Sequence, residues 1–254
     1  MRNLTDEQQI DELRRLLAES SRAAVFTGAG ISTESGIPDF RSPGGFWTKH
    51  QPIDFSDFLA SKEMRRETWR RKMAVDESFA AAAPNRGHRA IAHLVKEGKV
   101  GGVITQNIDG LHQKSGVPPE KIIELHGNGT YAHCLRCGRR YELAPLFEAF
   151  KVDEEPPVCT RCGGLIKSAT ISFGQPMPEE PMRRAREETQ QCDLFLAIGS
   201  SLVVYPAAGF PIMAQRGGAR LVIINRDPTE LDHIADLVLN VEIGPILGRL
   251  AGID

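Results

Sequence analysis

Residues 23–42 read AAVFTGAGISTESGIPDFRS, and the fold turns on how this stretch is understood. Ala23 to Thr27 is a short apolar run, the pattern of a buried strand, and the glycines after it open a turn into a helix. In α/β sheets that junction binds phosphate. Gly28 and Gly30 admit a ligand close to the backbone, and free N–H groups at a helix start attract an anion. Thr33 stands where Gly-x-Gly-x-x-Gly places its third glycine, so a glycine turn that merely packs is the competing reading. Pro38, Asp39, Phe40 and Arg41 then set a rigid turn, a carboxylate, an aromatic ring and a guanidinium side by side. Plain loops rarely carry such density, although Asp39 and Arg41 alone would also suit a surface ion pair.

Upstream, residues 5–19 place Ile10, Leu13, Leu16 and Leu17 on one helical face, with Thr5 and Gln8 spaced as a capping box. Downstream, residues 43–84 scatter Phe46, Trp47, Phe55, Phe58, Trp69 and Phe79 among polar residues with broken helical periodicity. We read a helical lid closing over the ligand. Within it Arg65, Arg66, Arg70, Arg71 and Lys72 read as a solvated helix face. A cleaner helix lies over 85–97, after Pro84 and before Gly98, with Ala90, Ile91, Leu94 and Val95 inward. Val100 to Thr105 is a second buried strand and Ile122 to Leu125 a third. The sheet is expected to resume through Ala169 to Phe173, Asp193 to Ile198 and Arg220 to Asn225, with an edge strand near Leu237 to Val241. Alternating strands and helices give an α/β fold, a Rossmann-like parallel sheet with helices on both faces. Gln106 to Asp109 would lie just past a strand's carboxyl end, where such sheets gather ligands.

Between Gly127 and Ser168 the composition shifts. Cys134-x-x-Cys137 and Cys159-x-x-Cys162 are separated by 21 residues, slightly more than the usual zinc-ribbon spacing, and each pair can give two thiolates to one tetrahedral ion. Four protein ligands leave no open position, so one structural Zn is expected, with redox or unliganded thiols as the alternative. His133 is surplus to that set and reads as a solvated loop histidine. Cys192, away from both pairs, reads as a small buried hydrophobe. The expected organisation is a Rossmann-like domain over 1–127 and 169–254, with the lid at 43–84 inserted in it, and a zinc-binding module over 128–168.

The 254 residues, 41 % of them hydrophobic, suffice for one such core. A net charge of −2 gives no electrostatic footprint for nucleic acid, and residues 128–168 are not markedly basic, which counts against a zinc-ribbon nucleic-acid binder. Met1 to Ser20 holds no signal-peptide apolar run, and no segment reaches the ~18 apolar residues of a membrane span. We expect a cytoplasmic protein with no membrane partner, in which five cysteines are thiols or metal ligands rather than disulfides. Oligomeric state is not legible.

Gly28 to Ser42 closely resembles the cofactor loop of the sirtuins, NAD-dependent protein lysine deacylases. Thr105 to His112 (TQNIDGLH), Glu124 to Gly127 (ELHG) and Gly199 to Pro206 (GSSLVVYP) resemble the same family in the expected order, over nearly the whole chain. The resemblance implies NAD held by Gly28, Ala29, Gly30, Thr33, Gln106, Gly199, Ser200 and Ser201, with Arg41 serving phosphates and loop closure. Ile37, Asp39, Phe40, Ile108 and Asp109 would line the nicotinamide pocket. Asn225 would bond the adenosine ribose, Arg226 cover the adenine and Ile243 touch it. Asn107 would orient the nicotinamide ribose and a water, and Asp109 would place negative charge near an oxocarbenium-like transition state.

Alone, a histidine closing a short apolar strand reads as structural. The Leu-His-Gly setting of His126, beside the Gln106 to Asp109 loop, instead matches the family's general base, and imidazole suits proton removal near neutral pH. The implied reaction begins with attack of an acyl-lysine oxygen on C1′ of the nicotinamide ribose. Nicotinamide leaves, an alkylimidate forms, and His126 deprotonates the ribose so that its 2′ oxygen takes the acyl carbon. The products are O-acyl-ADP-ribose and free lysine. Phe173 and Gly174, with Val204 and Tyr205, resemble the two segments that pair with an extended substrate peptide. Two departures stand out. Ser168 to Gln175 (SATISFGQ) replaces the family's Pro-Asp-x-Val-Phe-Phe-Gly-Glu, which changes the peptide-facing loop, and the lid lacks the Tyr-x-x-Arg pair that favours acidic acyl groups. An ADP-ribosyltransferase and a non-catalytic NAD or ADP-ribose sensor are the alternatives; a base at the ribose favours chemistry over sensing.

Overall fold

The computed structural model describes residues 5–39 and 51–253. At its centre is an all-parallel sheet in the order β3 (Ile122–Glu124), β2 (Val100–Thr105), β1 (Ala23–Thr27), β7 (Leu194–Ile198), β8 (Arg220–Ile224), β9 (Leu237–Leu239). Every residue of β1 and β7 is buried, as expected of strands covered on both faces. Strand order runs outward from β1 in one direction and from β7 in the other. The switch point, where open sheets bind ligands, therefore lies between β1 and β7.

Helix α1 (Asp6–Glu19) starts at the capping box: Gln8 N–H donates to Thr5 Oγ1 and Thr5 N–H to Gln8 Oε1, at 3.4 and 2.9 Å. The segment read above as a lid holds α2 (Phe55–Ala60) and α3 (Lys62–Ala81), and Asn85 caps α4 (Arg86–Lys96). The remaining helices are α5 (Leu111–Lys114), α6 (Leu143–Asp153), α7 (Glu179–Gln191), α8 (Gly209–Arg216) and α9 (Ile243–Ala251). One face of the sheet buries Ile10 and Leu13 of α1, Ile91 and Leu94 of α4, and Ile246 and Leu247 of α9. The opposite face packs Phe26, Phe195 and Ile223 against Ala185 of α7 and Phe210 of α8. Among the described residues no helix is long and apolar enough to cross a membrane.

A second, antiparallel sheet orders β5 (Arg140–Glu142), β4 (Gly127–Cys134) and β6 (Ile166–Thr170). Here the structure corrects the expectation of a main-sheet strand over Ala169 to Phe173. The strand begins earlier and pairs with β4, Cys134 opposite Ile166 and Gly127 opposite Thr170. Gly127 makes the diversion possible: at φ +73° it turns the chain out of the main sheet, and a Cβ there would collide with the Ala169 carbonyl. His133 also sits in β4, half-buried, rather than in a loop.

The basic face of α3 is not simply solvated. Arg66 pairs with Glu155 and Arg70 with Glu154, tying the lid to the small module. Such exposed pairs contribute about 0.2–1 kcal/mol each. Trp69 does more, because it is buried in the small module's apolar cluster with its ring edge-on to Phe147, centroids 6.1 Å apart.

The β1 and β7 turns are mutually dependent. Gly199, at φ +64°, leaves no room for a side chain, since a Cβ would collide with the Ile31 nitrogen and lie 2.8 Å from the Gly30 carbonyl carbon. Gly199→Ala should therefore cost about 2 kcal/mol in backbone strain and displacement. The thermal unfolding midpoint should fall by roughly 4–8 °C. An unchanged midpoint would show that the two turns are not packed as described.

Candidate active site

The two glycine turns meet at the switch point and form one wall of a cleft of about 960 Å³. Gly28 N–H donates to Ile198 O at 3.0 Å and Gly30 N–H to Gly199 O at 2.8 Å, so the carboxyl ends of β1 and β7 are stitched together. Gly28, Ala29, Gly30 and Thr33 line the cleft from one side, and Gly199, Ser200 and Ser201 from the other. The helix after β1 is a 3-10 turn over Ala29–Ser35, and Thr33 Oγ1 donates to Gly30 O at 2.9 Å. The residue that breaks the usual fingerprint thus braces the turn itself. Ile37 and Asp39 reach the same cleft; Phe40 and Arg41 lie outside the described residues. On the β8 and β9 side it is lined by Asn225, Arg226 and Ile243, with Asn225 donating to Asp227 O at 2.6 Å.

His126 follows β3 and lines this cleft with Gln106, Asn107 and Ile108. Its Nδ1 lies 3.1 Å from the Gln106 carbonyl. A carbonyl only accepts, so Nδ1 carries the proton and Nε2 is the basic nitrogen. Gln106 Nε2 in turn donates to Ser200 Oγ at 2.8 Å, which joins the β2 loop to the β7 turn.

Asn107 is oriented from behind. Its Nδ2 donates to Gly28 O and to Ser32 Oγ, both at 3.1 Å, while the Ser32 hydroxyl donates to Asp109 Oδ2 at 2.7 Å. Both amide hydrogens are used inside the protein, leaving the acceptor Oδ1 for whatever occupies the cleft. Asp109 does not line the cleft. It is buried, takes a second hydrogen bond from Leu111 N–H at 2.9 Å, and burial pushes its carboxyl above the usual range. Asp109 is linked to Asn107 through the Ser32 hydroxyl.

Cys134, Cys137, Cys159 and Cys162 converge, with all four Sγ atoms within 4.8 Å of one another. Two contacts, Cys134 to Cys162 at 3.5 Å and Cys137 to Cys159 at 3.6 Å, approach the ~3.8 Å edge of a tetrahedron with zinc–sulfur bonds of about 2.3 Å. The donor set fits zinc. Tyr141 donates its hydroxyl to Cys159 Sγ at 3.1 Å and draws that thiol down to about 6, favouring the ligating thiolate.

At the cleft mouth, Phe173 and Tyr205 are exposed at 45 % and 63 %, with Gly174 and Val204 beside them in the lining. Gln175 Oε1 accepts from Ser172 N–H at 3.2 Å, so the residue replacing the family's glutamate closes its own turn. The lid also reaches in. Thr68, Arg71, Lys72, Val75 and Ser78 line the cleft, a set that the broken periodicity of α3 concealed. Lys72 is the clearest correction to the solvated-face reading: burial lowers its pKa, and it pairs with Asp76 at 2.7 Å.

Residues 28–206 match the Sir2 family. The NAD-dependent protein deacetylase 1 of Bradyrhizobium diazoefficiens is 60 % identical over 96 % of this chain and 95 % of its own. A Sir2 structure with a p53 peptide and NAD+ superposes with TM-score 0.87 at 37 % identity, covering 95 % of this chain and 96 % of that one. A Sir2 variant with a deacetylated p53 peptide and 3′-O-acetyl ADP ribose gives 0.89 at 36 %, covering 97 % of this chain and all of that one. The chain belongs to the Sir2 family.

Proposed function

We propose that this protein is an NAD-dependent protein lysine deacylase that yields nicotinamide, O-acyl-ADP-ribose and free lysine, with His126 as its general base. The observation that carries the reading is the Gln106 carbonyl on His126 Nδ1, which presents a basic Nε2 in the cleft formed by the two glycine turns. The volume suits a dinucleotide with an acyl-lysine side chain, and the glycine turns at the switch point suit its pyrophosphate. NAD supplies the electrophilic ribose carbon and the nicotinamide leaving group.

The chain's own groups do the rest. Asn107 Oδ1 accepts from a ribose hydroxyl or water, and the Ser32 and Asp109 bonds hold it there. His126 Nε2 takes a ribose hydroxyl proton as that oxygen becomes nucleophilic, a contribution of about 10²–10⁴ in rate. Ser200 and Ser201 hold the phosphate and ribose region, and Asn225, Arg226 and Ile243 the adenosine end. On this reading Phe40 lines the nicotinamide pocket, and Arg41 serves the phosphates and loop closure. Phe173, Gly174, Val204 and Tyr205 pair with the acyl-lysine peptide. The division into an NAD-binding domain over 1–127 and 169–254 and a module over 128–168 that holds one structural Zn belongs to the same proposal. So does a cytoplasmic location, with the five cysteines as thiols or metal ligands.

Mass spectrometry of an acetyl-lysine peptide incubated with the protein tests the reading. Loss of the acetyl group with NAD present, and none without it, is expected. An unchanged peptide while NAD is consumed would contradict it.

A further inference from the structure

Two buried histidines, His88 in α4 and His112 in α5, have no role in the chemistry above. Their ring centroids are 5.1 Å apart, edge to face. Burial drives the His88 pKa down to about 2 and that of His112 to about 4, so both rings are neutral. A neutral imidazole has one donor and one acceptor nitrogen, and the neighbours decide which is which.

Asn85 N–H donates to His88 Nδ1 at 3.4 Å, so the His88 proton is on Nε2. The Thr27 hydroxyl donates to Thr105 Oγ1 at 2.8 Å, which leaves Thr27 Oγ1 to accept from His112 Nε2–H at 2.9 Å. His112 Nδ1 is then an acceptor. Among the described residues His88 Nε2 and His112 Nδ1 have no hydrogen-bond partner, and the two rings meet through their edge-to-face contact.

Hydrogen bonds tie this packed pair to the Asn107 loop on one side and to the cofactor turn on the other. At the inner end Thr105 Oγ1 accepts from Asn107 N–H at 3.0 Å. At the outer end Asn85 Oδ1 accepts from His88 N–H, and Asn85 Nδ2 donates to Ile31 O at 2.7 Å and Ser35 Oγ at 3.0 Å in the cofactor turn. We propose that His112, through Thr27 and Thr105, is a positioning residue for Asn107, and that His88 ties the same relay to the cofactor turn. The role rests on the reading of the cleft given above. Neither imidazole lines that cleft; they set the backbone from which Asn107 reaches the ribose.

Steady-state kinetics of Thr27→Val, His112→Leu and His112→Gln, each measured beside the wild type, test the relay. Thr27→Val is nearly isosteric and keeps the test open should His112→Leu fail to fold. Thr27→Val and His112→Leu should lower kcat at least about tenfold with little change in the peptide KM, as expected for a misplaced positioning group. His112→Gln, whose amide N–H can stand in for Nε2–H, should recover much of the loss. The Thr27→Val and His112→Leu double variant should be no slower than either single one, because the two act as one unit. Wild-type kcat in Thr27→Val, glutamine no better than leucine, or multiplying losses would overturn the proposal. Ring-nitrogen NMR gives a readout independent of turnover: a neutral His112 protonated at Nε2 is expected, and protonation at Nδ1 would overturn the relay. An inactive wild type with the expected NMR tautomer would instead sink the reading of the cleft.

Discussion

His126→Ala should lower kcat for deacylation by about 10²–10⁴-fold while leaving the fold intact. The ring is half-buried and closes β3 without entering the main core, so truncation leaves the strand pairing of Ile122 to Glu124 untouched. The loss should fall on kcat with little change in the KM for NAD, because the glycine turns, Ser200 and Asn107 are held by bonds that do not involve the imidazole. Exchange of labelled nicotinamide into NAD, measured with an acylated peptide present, should persist in the variant, since nicotinamide release precedes the step that needs a base. A variant that deacylates at the wild-type rate would remove His126 from the mechanism. One that loses exchange and turnover equally would place it at the earlier step.

Removal of the metal should have the second large effect. Structural zinc in small modules contributes on the order of 10 kcal/mol to folding, and here the four cysteines stand beside the cluster that buries Trp69 of α3. Stripping zinc should therefore loosen the lid as well as the module, and Thr68, Arg71 and Lys72 would lose their place in the cleft wall. In a Trp47→Phe background, where Trp69 is the remaining tryptophan, a strong chelator should shift emission to the red, and Cys137→Ser should do the same without chelator. Metal analysis should return one zinc per chain. Unchanged emission in zinc-free protein would show that the module holds its fold, and the lid its place, without the ion.

Local signals were the legible ones. The capping box of Thr5 and Gln8, the strands Ala23 to Thr27 and Val100 to Thr105, and the helix after Asn85 depend on neighbours in sequence, and the structure places them where periodicity and caps predict. The paired Cys-x-x-Cys spacing was equally readable, because a tetrahedral ion fixes its ligand geometry. What failed was partner choice. Ala169 to Phe173 reads as a main-sheet strand, yet the strand that forms, Ile166–Thr170, pairs with Gly127–Cys134, a choice set by the positive φ of Gly127 far away in sequence. Lys72 misled for a similar reason. Helix α3 buries Trp69 on the small module and turns Lys72 into the cleft, and two buried faces erase the single apolar stripe that marks an amphipathic helix. Ser32 carried no sequence signal, since a serine's worth here lies in standing between Asn107 and Asp109.

Product balance tests the central claim most directly. With wild-type protein, NAD and an acetyl-lysine peptide, chromatography of a time course should return nicotinamide, deacetylated peptide and O-acetyl-ADP-ribose in equal amounts at every point. Deacetylated peptide accompanied by free acetate, with NAD intact, would mean simple hydrolysis and contradict the account.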